Sequence, residues 1–163
     1  MNKAPTSSPD FWKQRINEAK GHNNEYIFYQ VGSDKWSEIN NIHREIISNE
    51  EVKGKVLDAG CGTGRLSEWF DDYVGVDFSP DLLEIAKEDY PDKKFIKADL
   101  KKLPFGKDEF DWAVCCSIQD MVLRDSGLEE WKLMREELLR VAKRVLILDY
   151  PNPKRYSILC KQQ

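Results

Sequence analysis

Asp58 and Asp77 are the residues of this sequence best placed to do chemistry. Asp58 closes a short apolar run, Lys55-Val-Leu-Asp58, and Ala-Gly-Cys-Gly-Thr-Gly follows it at 59–64. Glycines let a backbone approach a ligand closely and adopt positive φ, and a helix starting after such a turn offers unpaired N–H groups. The spacing is G-x-G-x-G. The dinucleotide fingerprint, G-x-G-x-x-G, would need glycine at 65, where this chain has arginine. Asp77 ends a second apolar run, Tyr73-Val-Gly-Val76. From that place a carboxylate can accept hydrogen bonds from both hydroxyls of a ribose. A glycine turn between two strand-end carboxylates is therefore expected to bind a nucleoside.

At these residues the sequence resembles class I S-adenosylmethionine-dependent methyltransferases. The resemblance rests on Asp-Ala-Gly-Cys-Gly-Thr-Gly at 58–64, Gly-Val-Asp-Phe-Ser-Pro at 75–80 and Ala-Asp-Leu-Lys-Lys-Leu-Pro-Phe at 98–105. Phe110-Asp111 and Leu139-Arg-Val141 extend it toward the branch that methylates quinones and similar metabolites, and it covers about 54–149. It implies S-adenosyl-L-methionine as cofactor, with contacts from Asp58, Ala59, Gly60, Cys61, Gly62 and Gly64, and from Cys116. It further implies that Phe78 and Leu100 sandwich the adenine, that Asp99 accepts from its amine and that Asp58 steadies the turn or reaches the ligand's amino group through water.

The methyl acceptor must be sought beyond the fourth strand, in Ser117-Ile-Gln-Asp-Met121. The Pro-Pro-Tyr signature of amino-directed DNA methyltransferases is absent there. The Pro-Cys of cytosine-C5 enzymes is absent too, because Val114 precedes Cys115. Asp120 is the candidate for orienting or deprotonating an acceptor, with a helix-capping or solvent role as the alternative. Ser117, Gln119 and Tyr150, with Asp149 beside it, are candidates for contacting the substrate. In the family the N-terminal region folds over the cofactor, which makes Tyr29 and Trp36 lid candidates; the alternative is that these rings only pack a helix onto the sheet. His43, among isoleucines, reads as a packed or surface histidine.

These residues need a frame to hold them. Strands are expected at 55–58, 73–76, 94–98, 110–116 and 144–149, and helices at about 64–71, 80–89 and 128–142. Leu128, Trp131, Met134, Leu138 and Val141 share one helix face, enough to cover a sheet. Continuously apolar runs such as 113–116 and 145–148 are how parallel strands buried on both faces read. The expected fold is α/β, a doubly wound, mostly parallel Rossmann-like sheet, shortened at the C-terminus relative to the family. Two helices precede it. One starts at Pro9 after the N-cap Ser8 and stops at Gly21; the other runs from Asp34 to about Ser48. The whole chain, 1–163, is expected to be one domain, with 1–8 disordered, 9–50 an N-terminal cap and 54–149 the core.

The net charge of −4 argues against a large nucleic-acid footprint, which needs a basic face. No window approaches the ~20 apolar residues of a membrane span, so a soluble cytoplasmic protein with no membrane partner is expected. The four cysteines lack paired C-x-x-C spacing, so no metal is expected and small buried thiols in a reducing compartment are. A small-molecule acceptor is the first expectation for the partner. An RNA or protein acceptor, and a non-catalytic cofactor-binding subunit, are the alternatives. The apolar run 145–148 also needs an edge cover. Either Tyr156-Ser-Ile-Leu-Cys160 returns antiparallel beside it, or two subunits pair there as a homodimer.

Overall fold

The computed structural model describes residues 6, 8–21, 24, 26–29, 33–148 and 156–160. Three helices come first: α1 (Pro9–Glu18), the short α2 (Tyr26–Tyr29) and α3 (Ser33–Asn49). Ser8 caps α1 by accepting from the Asp10 N–H, and proline occupies the first turn. There it costs nothing, because its missing N–H would have had no helical partner. The core follows as β1 (Val56–Ala59), β2 (Tyr73–Asp77), α4 (Pro80–Asp89), β3 (Lys94–Lys97), β4 (Phe110–Cys116), α5 (Ile118–Asp125), α6 (Leu128–Val141), β5 (Ala142–Leu148) and β6 (Tyr156–Cys160).

The strands form one sheet in the order β3-β2-β1-β4-β5-β6. β1 to β5 are parallel, and β6 runs antiparallel to β5. Alternation along each strand sorts the core into two layers. Leu57, Ala113 and Val145 face a layer with Trp131, Leu138 and Val141 of α6. Their neighbours Val56, Val114 and Leu146 face Ile46 and Ile47 of α3 and Leu83 and Ala86 of α4. A third cluster, Trp12, Ala19, Ile27 and Leu82, fastens α1 onto α4. Strand order reverses between β1 and β4, so a crevice opens at the carboxyl ends of the central strands, where ligands of such sheets bind.

Several expectations change. The helix expected at 64–71 is a three-residue 3-10 turn, Ser67–Trp69. Gly62 and Gly64 have φ of 54° and 82°, Ser67 and Trp69 donate to carbonyls three residues back, and Phe70 is already extended. The chain has only 65–72 in which to return to the start of β2. 3-10 and extended backbone rise about 2 Å or more per residue, against about 1.5 Å in an α-helix, so this path carries the chain further in the same number of residues. Leu128 is exposed rather than facing the sheet, and Cys160 is an exposed thiol rather than a buried one. β1 ends on Ala59, one residue past Asp58, and α5, which carries Gln119 and Asp120, was not anticipated as a helix.

The tail strand forms as expected, with Val145 opposite Leu159 and Leu148 opposite Tyr156. Tyr156 also donates to Glu50 Oε1 at 2.7 Å, just beyond α3. The β5 edge on which subunit pairing would rely is thus occupied by the chain's own β6. Among the described residues no helix is long and apolar enough to cross a membrane.

Candidate active site

The crevice is a cavity of about 840 Å³. At its floor the two carboxylates sit at the ends of adjacent parallel strands, with Asp58 paired in register to Gly75 and Asp77 two residues further along. Both are buried, 2% and 5% exposed. The Tyr73 hydroxyl donates to Asp58 Oδ2 at 2.8 Å. Asp77 accepts from the backbone N–H of Gly62 at Oδ2, 3.0 Å away, and from that of Ser79 at Oδ1, 2.9 Å away. Burial raises the pKa of Asp58 to about 7, against the opposing pull of the Tyr73 hydrogen bond. Burial likewise raises Asp77 to about 6, with the Ser79 and Gly62 N–H groups pulling the other way. Each carboxylate keeps unused acceptor capacity, since an ionised carboxylate takes about four hydrogen bonds.

The glycine turn lies over this floor. A Cβ on Gly60 would come within 2.5 Å of Ile118 Cδ1, and one on Gly62 within 2.6 Å of Phe28 Cζ. Ile118 of α5 and Phe28 of α2 therefore approach the bare backbone where a side chain would exclude them, and both line the cavity. Gly64 faces the other way, toward Phe95 and Tyr90, and does not line it. Under the turn, Gly75 makes room for the Tyr73 hydroxyl, Cys61 Sγ and Phe95, each within 2.9 Å of where its Cβ would stand.

The opposite wall is made of side chains from elements distant in sequence. Ser117, at φ 61°, turns the end of β4 directly into α5 and donates its N–H to the Leu148 carbonyl. A left-handed non-glycine residue is a strained conformation of the kind that gathers at functional sites. Arg65 crosses to this wall. It donates to Asn40 Oδ1 at 2.6 Å, to His43 Nδ1 at 3.2 Å and to Cys116 Sγ at 3.0 Å, and it stacks on Trp36 and Trp69. Burial and the Arg65 charge lower the His43 pKa to about 3. His43 is thus neutral, committed at Nδ1 and set one layer behind the lining residues Arg65 and Cys116, so it is a packed histidine and no general base.

Of the residues singled out in the sequence, Asp58, Gly60, Cys61, Gly62, Asp77 and Phe78 line the cavity. Asp99, Leu100, Trp36, Cys116, Ser117 and Asp120 line it as well. Asp99 is exposed and engaged locally, accepting from the Lys101 N–H at 2.9 Å. Ala59 is wholly buried in the core behind the turn, and Gln119 does not border the cavity. Tyr29 lies in α2, but its side chain is outside the described residues, as are Asp149 and Tyr150. Sequence reasoning missed Tyr73, Arg65 and Phe28, and named Ile118 only as part of the stretch 117–121. Nothing local marks Tyr73 or Phe28. Arg65 was conspicuous only as a departure from a different fingerprint.

A ligand with ribose hydroxyls and a cationic amino group suits this floor. It would supply donors and positive charge to two carboxylates that burial otherwise disfavours as anions. The cavity is within the range, roughly 300–1,000 Å³, of small-ligand sites. Among the described residues no cluster of histidine, cysteine or acidic side chains could hold a metal ion.

Residues 57–147 match the family model described as "Methyltransferase domain". That is more than half of the chain, and the chain belongs to this family. An uncharacterized protein of Methanocaldococcus jannaschii is 33% identical over 123 residues, covering 71% of this chain and 55% of that protein. A demethylmenaquinone methyltransferase of Renibacterium salmoninarum is 36% identical over 106 residues, covering 61% of this chain and 42% of that enzyme. The chain thus spans about half the length of these relatives. In fold it is similar to the crystal structure of a putative S-adenosyl-L-methionine-dependent methyltransferase of Methanococcus maripaludis. The TM-score is 0.63 at 19% identity, over 91% of this chain and 67% of that one.

Proposed function

We propose that the protein is an S-adenosylmethionine-dependent methyltransferase whose acceptor is a small molecule, that residues 1–163 form one domain, and that it acts in the cytoplasm. The observation that carries this reading is the pair of buried carboxylates, Asp58 and Asp77, flanking a glycine turn whose backbone opens onto one cavity. Asp77 is the acceptor for the ribose hydroxyls, through the lone pairs its backbone donors leave free. Asp58, held by Tyr73 at one oxygen, has the other to offer an ammonium group. Phe78 and Leu100 flank the adenine, and Asp99 accepts from its amine.

S-adenosylmethionine, when bound, supplies a methyl group already activated on a sulfonium. This chain then has to orient an acceptor and exclude water. Trp36, Ser117 and Asp120 form the acceptor wall. Asp120, in the first turn of α5, orients the acceptor and takes its proton where the nucleophile carries one. A small acceptor is favoured by the cavity's size and by its aromatic wall. The chain's acidity favours it over RNA. The free thiols of Cys61, Cys115, Cys116 and Cys160 are in keeping with a reducing compartment.

The test is incubation of the purified protein with methyl-labelled cofactor and three pools: metabolites, total RNA and protein extract. Label in the metabolite pool is the expected result. Label only in RNA or protein would replace the acceptor class. Tight cofactor binding with no label in any pool would point to a non-catalytic cofactor-binding subunit.

A further inference from the structure

Tyr73, Gly75 and Asp77 alternate along one face of β2. Gly75 stands in register with Asp58, and Tyr73 with Val56, so the Tyr73 ring must run past Gly75 to reach the carboxylate. The path is open because Gly75 has no side chain: a Cβ there would stand 2.8 Å from the Tyr73 hydroxyl. Phe95 meets the ring edge-on, with centroids 5.8 Å apart, and the residue is buried. Phenylalanine would serve that packing as well. The hydroxyl is an addition, and it donates to Asp58 Oδ2 at 2.8 Å. Burial, and then the Asp58 charge, push the pKa of the phenol itself up, so it stays protonated as a donor.

The two floor carboxylates are held differently. Asp77 has two main-chain donors. Among the described residues Asp58 has one donor, Tyr73. The other titratable groups facing Asp58 are Cys61 in the glycine turn, Arg65 just after it, Asp77 of β2 and Cys116 of β4. Arg65 favours the Asp58 anion, while Cys116 and Asp77 oppose it. Without the phenol, a buried carboxylate would be left with no hydrogen bond to its charged form, and protonation would be favoured.

We infer that Tyr73 is a positioning residue, which fixes Asp58 in one orientation and stabilises its anionic form. The inference rests on the proposed function for the ligand that benefits, but not for the link between the two side chains. The full chain, carbon-13 labelled at its aspartate carboxyls, is titrated by NMR as wild type and as Tyr73→Phe, with Asp58→Asn to assign the signal. Asp58 should titrate near about 7 in the wild type. In Tyr73→Phe the midpoint should lie about one pH unit or more higher, the lower end for a hydrogen bond to a charged group. An unchanged midpoint in folded variant protein overturns the inference. Should Tyr73→Phe not fold, carbon-13 at tyrosine Cζ in the wild type decides instead: the Tyr73 signal must follow the Asp58 midpoint, and independence from it overturns the inference.

Calorimetry carries the same comparison to the ligand. S-adenosylhomocysteine and 5′-methylthioadenosine, which lacks the amino-acid tail, are titrated at pH 6 and 8.5. Tyr73→Phe should weaken S-adenosylhomocysteine roughly ten-fold at pH 6, as a midpoint one pH unit higher requires. The gap should almost close at pH 8.5, with 5′-methylthioadenosine unchanged at both. A loss equal at the two pH values is that of a packing defect and overturns the inference. If wild-type protein binds neither nucleoside, the proposed cofactor falls, while the carboxyl titration still decides the role of Tyr73.

Discussion

The two ends of the cavity are built by different means. The floor uses backbone: a glycine turn and two carboxylates held by main-chain N–H groups and one phenol, all within 58–79, on and just beyond the central strands β1 and β2. The far wall uses side chains from α1, α2, α3 and α5, elements spread along the sequence and packed at the sheet's periphery. A backbone-built site tolerates little change, because moving it moves the sheet. A side-chain wall can be rebuilt one residue at a time. The first end is thus suited to an invariant ligand and the second to whichever acceptor a given protein uses.

That contrast can be broken by substitution. The largest effect is expected at Gly64, whose φ of 82° and whose neighbours Phe95 Cζ at 2.8 Å and Tyr90 Cδ2 at 3.1 Å leave no room for a side chain. Gly64→Val should destabilise the fold by about 2–5 kcal/mol, the sum of left-handed strain and overpacking, read from urea unfolding. A stability change under ~1 kcal/mol would mean the turn is more pliable than a backbone-built floor allows.

Next comes Asp77→Ala. Loss of charge-assisted bonds worth about 1.5–3 kcal/mol predicts roughly 10–150-fold weaker S-adenosylhomocysteine binding. Calorimetry on folded variant protein checks it, and unchanged affinity would remove Asp77 from the ribose site.

The pH dependence is expected to be smaller and runs in two directions. A cationic ligand favours ionised Asp58, so affinity should rise as pH climbs through about 7, where that carboxylate titrates, and level off above. Asp77, at about 6, adds to the same trend at slightly lower pH. The empty protein behaves oppositely. Between the ordinary value of 3.8 and about 7 the fold keeps a proton on Asp58 that the unfolded chain has released. That contribution to stability is fully present at the acid side and is lost as pH rises through about 7. An affinity independent of pH from 5.5 to 8 would rule out the ammonium contact, and Asp58→Asn should flatten the profile.

The smallest effect sharpens the contrast from the other side. Asp120→Ala, on the far wall, should leave S-adenosylhomocysteine affinity within about two-fold, since surface changes away from a ligand shift stability by only some tenths of a kcal/mol. It should lower turnover of any acceptor whose nucleophile is protonated. A ten-fold loss of cofactor affinity would show that the two ends are not separable.

The same division explains what could be foreseen in the sequence. Asp58, Asp77 and the glycines between them are close in the chain, and strand alternation alone puts them at one edge of a sheet. The five parallel strands were legible for the same reason, as apolar runs with turn residues between them. The tail strand was legible from an edge that needed covering. The helix after Gly64 was not, because its residues read as helical while left-handed Gly62 and Gly64 before it and extended Phe70 after it leave one 3-10 turn. Tyr73 meets Asp58 only through the register of β1 and β2, and Arg65 meets Asn40 and His43 only once α3 has docked. Such contacts depend on tertiary packing, which local sequence pattern does not encode.

Asp77 has one more consequence. The same two oxygens that face the ligand region also hold the Gly62 N–H and the Ser79 N–H, and Ser79 is the N-cap of α4. The carboxylate is therefore a joint in the scaffold as well as the proposed recognition group. During evolutionary drift, a descendant that had lost catalysis would still be under selection to keep an acidic residue here, because replacing it frees two buried N–H groups and loosens the start of a helix. Retention of this aspartate in a relative accordingly signals an intact fold before it signals activity.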